Sequence, residues 1–116
     1  MANLTTTVRQ IGRTTSIIDL HGDVTGAAEN TLMDAYSQAV NNGAQVIILN
    51  FSELEYMNSS GIGLLVTLLI RIQRQKQRLL AFGLSEHYQQ IFALTRLDEA
   101  IGSYADEQAA IAAATA

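Results

Sequence analysis

Val46-Ile47-Ile48-Leu49 constrains the fold more than any other part of this sequence. The run is too short for a helix and rich in β-branched residues, so it reads as a strand. A strand that is apolar at every position buries both of its faces, as strands do inside a parallel sheet covered by helices. Its surroundings agree. Upstream, from Ala27, the residues Ala28, Leu32, Ala35, Tyr36, Ala39 and Val40 recur at helical spacing, and Asn41-Asn42-Gly43 supplies a stop. Downstream, Asn50 to Asn58 reads as a polar loop, followed by a helix from about Ser60 to Gln77.

The rest of the chain extends the alternation. Leu4 to Gln10, rich in Thr and Val, suits an edge strand; Gly12-Arg13 is a turn, and Ser16 to His21 is a second strand that pairs with the first as a hairpin. Arg78 to Phe82 is a strand, and Tyr88, Ile91, Phe92 and Leu94 mark another helix. A last strand near Ala100 and an Ala-rich helix from about Asp106 close the order β-β-α-β-α-β-α-β-α. The Ala109 to Ala116 tail reads as a frayed helix end, because alanine brings propensity but little burial. The expected fold is α/β: one domain over residues 1–116, with a small, mostly parallel mixed sheet of about five strands packed by four helices.

Composition excludes several function classes. The chain has no cysteine, and its two histidines, His21 and His87, are far apart, so a metal site and a thiolate nucleophile are not expected. A net charge of −4 argues against direct nucleic-acid binding. Four of the seven basic residues fall between Arg71 and Arg78, which reads most simply as a solvated helix end. The start lacks a basic and apolar leader, and the apolar stretch Gly61 to Ile70 is half of the roughly 20 residues a membrane helix needs. The expectation is a cytoplasmic protein without a transmembrane segment. Gly61-Ile62-Gly63 lacks the further residues of a phosphate-binding loop, so no nucleotide cofactor is expected.

Tyr56-Met57-Asn58-Ser59-Ser60-Gly61-Ile62-Gly63 is the segment with chemical content. It places hydroxyls at the opening of a helix, where unpaired amides and the helix dipole favour either a capping oxygen or a phosphate. Ser59 is therefore a plain cap or a phosphorylation site, and the residues alone favour the cap. In the helix itself, Ile62, Leu65, Val66, Leu69 and Ile72 form the expected core stripe. Leu64, Leu68 and Ile70 are apolar as well, a surplus that predicts an exposed patch beside Ser59 for a partner to cover. Burial beneath neighbouring helices is the alternative.

These residues resemble the STAS domain family, in particular the bacterial anti-sigma factor antagonists and their stressosome relatives. Asn58-Ser59-Ser60-Gly61-Ile62-Gly63 is similar to the family's Asp-Ser-Ser/Thr-Gly-Leu/Ile-Gly helix opening. Gly22-Asp23-Val24 resembles its Gly-Glu-Leu/Val-Asp turn, and Ile91 to Leu97 its Leu-Phe-x-x-x-Gly-Leu helix end. The resemblance implies a non-enzymatic module that binds an anti-sigma factor serine kinase and so releases a sigma factor. It also implies that phosphorylation ends the binding, at Ser59 with Ser60 as second choice, and that a phosphatase can reset it. Asp23, Thr25, Asn58, Ser60, Gly61, Ile62, Leu64 and Leu68 are the partner-binding residues expected on this basis.

Two departures from the family pattern matter. Asn58 stands for the acidic residue before the phosphorylated serine, and Thr25 for the second acid of the turn. Both favour an alternative role as an unswitched STAS scaffold subunit in a signalling or lipid-transport assembly. A hydrolase using Ser59 with His21 or His87 is a further alternative, without a GxSxG elbow to support it. The acidic pair Glu53 and Glu55 matches no metal motif, and oligomeric state, monomer or weak dimer, is open.

Overall fold

The computed structural model describes residues 3–115; Met1 and Ala2, on which the expectation about a leader falls in part, and Ala116, the last residue of the Ala-rich tail, lie outside them. Five strands form a sheet in the order β1-β2-β3-β4-β5: β1 (Thr5–Gln10), β2 (Thr15–Val24), β3 (Val46–Met57), β4 (Arg78–Phe82) and β5 (Gly102–Tyr104). β1 and β2 form the expected antiparallel hairpin, and every later pairing is parallel. Each parallel connection carries a helix: α1 (Glu29–Asn41), α2 (Ser59–Arg74) and α3 (Glu86–Leu94), with α4 (Glu107–Ala114) last.

Val46 to Leu49 is buried on both faces, as its composition requires. Ile47 and Leu49 join a large core with α1, α2 and α3 on one side of the sheet. Val46 and Ile48 join Ile17, Leu80, Phe82 and Ala110 on the other, beneath α4. The alanine tail is thus a packed helix up to Ala114 and not a frayed end. Its small side chains let α4 lie close on the sheet, and Ala110 is fully buried. Arg78 secures the far end of α4 by donating to the Ala113 carbonyl at 3.2 Å.

At the near end, Arg9 on β1 joins three elements. Its guanidinium donates to both Asp19 oxygens, at 2.7 and 2.9 Å, and to Glu107 at 2.7 Å. Asn50 adds a donor to Asp19 at 2.7 Å. Burial would push the Asp19 carboxyl up, but the hydrogen bonds from Arg9 and Asn50 outweigh it and hold it below the usual carboxylate range. A carboxyl held low in the fold stabilises it above its unfolded value of about 3.9, and that contribution is lost as pH falls through the folded value. The melting temperature should therefore drop below about pH 4, and Asp19→Asn should flatten that part of the profile. Thermal denaturation across acid pH measures it.

Two elements differ from the sequence reading. Asn50 to Asn58 is strand almost throughout, since β3 runs to Met57. Its second half leaves β4 behind and pairs only with β2, from His21↔Glu53 to Val24↔Met57, across register shifts. Lacking a strand neighbour on one side, this ribbon carries the polar residues that imitate a loop. The last strand starts at Gly102, after a 3-10 turn at Leu97–Glu99, later than the expected position near Ala100.

Arg96 opens that turn with φ +61°, in the left-handed region where side chains are strained. It occupies the glycine position of the resembled helix-end motif. Its contact with Glu99 is 3.8 Å long between exposed groups and adds little. Arg96→Gly should therefore stabilise the fold by about 0.5–1 kcal/mol, as backbone relief exceeds the glycine's extra unfolded entropy. Urea unfolding midpoints give the sign.

Candidate functional site

The C-terminal ends of β2 and β3 stop side by side, Val24 opposite Met57, and α2 springs from the second of them. Asn58 makes the transition. Its backbone is extended, its N–H reaches the Val24 carbonyl at 3.4 Å, and its carbonyl receives the first helical bond, from the Ile62 N–H at 3.0 Å. Its side-chain oxygen accepts from the Gly61 N–H at 2.9 Å. Asn58, and not Ser59, is therefore the cap. Asparagine does this as well as aspartate, so the missing carboxylate at this position costs the helix nothing in hydrogen bonding.

With the cap assigned to Asn58, Ser59 and Ser60 become the first two helical residues, and both are exposed. Their own N–H groups precede the first intrahelical donor and have no partner within the helix. The hydroxyls thus stand beside open amides at the positive end of a helix of 16 residues, with no acidic side chain in its first turn.

Gly61 is buried and lets the first turn of α2 lie directly on β2. A Cβ there would come within 2.0 Å of the Val24 carbonyl oxygen and 3.0 Å of the Met57 side chain. The loop after β2 completes the site. Thr25 caps a 3-10 turn at Gly26–Ala28 by accepting from the Ala27 N–H at 3.3 Å, a role open to threonine and aspartate alike. Gly26 faces Ser60 closely enough that a Cβ would touch it at 3.4 Å. Asp23, only 7% exposed, lines a cleft of about 460 Å³ with Leu4, Thr25 and Thr31. Tyr88 on α3 braces the end of β3 by accepting from the Met57 N–H at 2.8 Å.

The structure therefore brings Asp23, Thr25, Asn58, Ser59, Ser60 and Gly61 to one end of the sheet, with Ile62 half-buried beside them. It does not place Leu64 and Leu68 on the surface. They are 6% and 0% exposed and belong to the core, so the expected patch through them is corrected. Gly61 must face β2, and that sets the helix phase: Leu64, Leu65, Leu68, Leu69 and Ile72 turn inward. Val66, expected in the core, and Ile70 are the exposed apolar residues, at 37% and 44%, in line with Ile62 at four-residue spacing. An exposed apolar stripe exists on α2: Ile70 belongs to it as expected, and Val66 stands in it where Leu64 and Leu68 were expected. Tyr56, which opens the segment singled out in the sequence, is 46% exposed on β3 just before the site.

His21 is on β2 opposite Glu53, and His87 packs edge-on against Tyr88 with ring centroids 5.0 Å apart. No group of residues suited to hold a metal occurs among the described residues. None of their helices is long and apolar enough to cross a membrane.

The model of the STAS domain family matches residues 5–110, from the first strand into the last helix. The chain belongs to the STAS domain family. Solved structures share the fold. The anti-sigma factor antagonist SpoIIAA in its unphosphorylated form is 24% identical with a TM-score of 0.72, over 90% of this chain and 92% of that one. The phosphorylated form of SpoIIAA, a Bacillus cell fate determinant, is 24% identical with a TM-score of 0.69, over 90% and 96%. An anti-sigma factor antagonist from Mycobacterium paratuberculosis is 18% identical with a TM-score of 0.82, over 98% and 96%. No curated protein matches the sequence. At these identities the solved structures show the shared fold, and in it Asn58-Ser59-Ser60-Gly61 opens α2 of this chain.

Proposed function

We propose that this STAS domain is an anti-sigma factor antagonist whose binding to an anti-sigma factor kinase is switched off by phosphorylation of Ser59. The observation that carries the reading is Ser59 itself: an exposed hydroxyl in the first turn of α2, beside amides without helical partners. A phosphoserine there adds about −1.5 to −2 charges and three acceptor oxygens. Its own fold accommodates these, because the helix N-terminus favours negative charge. A partner docked on Ser59, Thr25 and Ile62 does not, since the phosphate brings bulk and a charge that must be desolvated. The switch then acts at the interface and leaves the fold in place. The likeness of this chain to SpoIIAA in both forms, with TM-scores of 0.72 and 0.69, supports that view.

Asn58 keeps the cap but supplies no carboxylate to orient the Ser59 hydroxyl, which calls for a kinase that brings its own base. The test uses the protein as bait in extract of its own cells. Unmodified protein and Ser59→Ala should retain an anti-sigma factor kinase, while Ser59→Asp should retain at least tenfold less, the effect of a charge unpaired in an interface. A partner held equally by all three would indicate the unswitched scaffold.

A further inference from the structure

We propose that the cleft between the C-terminal halves of α1 and α2 is a binding site for a phosphate group, held by the guanidinium groups of Arg71 and Arg74. The cleft measures about 400 Å³. Arg71, Arg74 and Gln75 line it from the end of α2, and Ser37 and Asn41 from α1, so that hydrogen-bond donors converge on it from both walls. No carboxylate lines it, in a chain with eleven acidic residues against seven basic. Arg71 follows Ser59 along α2 by a rise of roughly 18 Å, so this cleft is separate from the site at the helix opening.

The basic residues that cluster in sequence from Arg71 to Arg78 divide in the fold. Arg78 has a structural task, donating to the carbonyls that end α4. Arg71 and Arg74 have none of that kind: among the described residues neither joins an ion pair, as Arg9 and Arg96 do, and neither reaches a carbonyl of its own helix end. Asp34, the nearest acid along α1, neither lines the cleft nor pairs with them. The floor between the walls is fixed. Tyr36, 6% exposed, donates its hydroxyl to the Gln77 side-chain oxygen at 2.7 Å and so ties α1 to the segment after α2. Burial pushes the Tyr36 phenol up and the Arg71 charge opposes it, so the field of Arg71 is felt at that floor. Two guanidiniums at i,i+3 spacing share one helix face and match the two charges and three oxygens of a phosphate, where a carboxylate would leave one of them unmatched. Val40 adds an apolar wall for any organic part the phosphate carries.

Nuclear magnetic resonance of the full chain tests this, with inorganic phosphate and phenyl phosphate titrated separately against chloride at constant ionic strength. The expected result is saturable shifts of the Arg71 and Arg74 guanidinium and Asn41 side-chain signals with either phosphate. Tighter binding of phenyl phosphate would assign the site to a phosphomonoester, and equal or tighter binding of inorganic phosphate would assign it to the free anion; both support the site. Arg71 and Arg74 are exposed, so Arg71→Gln and Arg74→Gln keep the fold, and each should weaken binding about tenfold. The absence of saturable shifts with both compounds up to tens of millimolar overturns the proposal. So do shifts confined to the Ser59 and Ser60 amides, or binding that neither substitution weakens.

Discussion

Gly61→Ala is expected to destabilise the protein by roughly 3 kcal/mol or more, whereas Gly63→Ala, two residues along the same helix, is expected to stabilise it by about 1 kcal/mol. Helix propensity favours alanine equally at both positions, so the difference lies in what each Cβ meets. At Gly61 it would stand 2.0 Å from the Val24 carbonyl oxygen and 2.7 Å from its carbon. Both are backbone atoms of a central strand and cannot rotate aside. The first turn of α2 must lift off β2, taking Asn58 and the Ser59 hydroxyl with it. At Gly63 nothing lies within 4 Å, and only the propensity gain remains. Urea unfolding of the two variants gives the signs. Equal effects would mean that α2 does not rest on Val24.

Leu68→Asp is expected to abolish folding, while Val66→Asp and Ile70→Asp leave it within about 1 kcal/mol of the parent. Leu68 is fully buried between sheet and helices, and a carboxylate there has no partner. The cost of burying it exceeds about 4 kcal/mol, a large part of what holds a domain of this size together. Val66 and Ile70 lie on the outer stripe, where a carboxylate stays hydrated. If that stripe meets the partner, the latter two variants fold and bind it less tightly. Circular dichroism and thermal melts separate the cases. A folded Leu68→Asp variant would refute a helix phase in which Leu68 faces the sheet.

The phase of α2 also shows where the sequence was and was not legible. Short β-branched runs and helical spacing placed most of the strands and helices, because local pattern and tertiary burial agree there. In α2 they do not agree visibly. From Gly61 to Ile70 only Thr67 is polar, and a run apolar on all sides carries no phase. The information lay in the residues that are not large and apolar: Gly63, Thr67, Arg71 and Arg74 recur at three and four residues and mark the solvent face. Reading the polar stripe would have turned Leu64 and Leu68 inward. The second half of β3 was illegible for another reason. Its pairing with β2 depends on irregular register far along the chain, and no local pattern announces that.

The site was legible in composition and less so in roles. Ser59 and Ser60 stand where the resemblance placed them, at the opening of a helix after the long strand. The cap belongs to Asn58, a residue whose missing charge draws attention away from its side-chain oxygen. Asn58 and Thr25 are both half-buried, and both accept a bond from the turn they precede. These two departures from the family pattern thus keep the local fold while reducing negative charge around Ser59.

The proposed switch stands or falls on peptide-mapping mass spectrometry of the protein isolated from its own cells, under growth and under stress. The expected result is a phosphate on the peptide that contains Ser59, localised to that residue and varying with condition. A Ser59 that carries no phosphate under any condition would refute the switch and leave an unswitched STAS scaffold in its place.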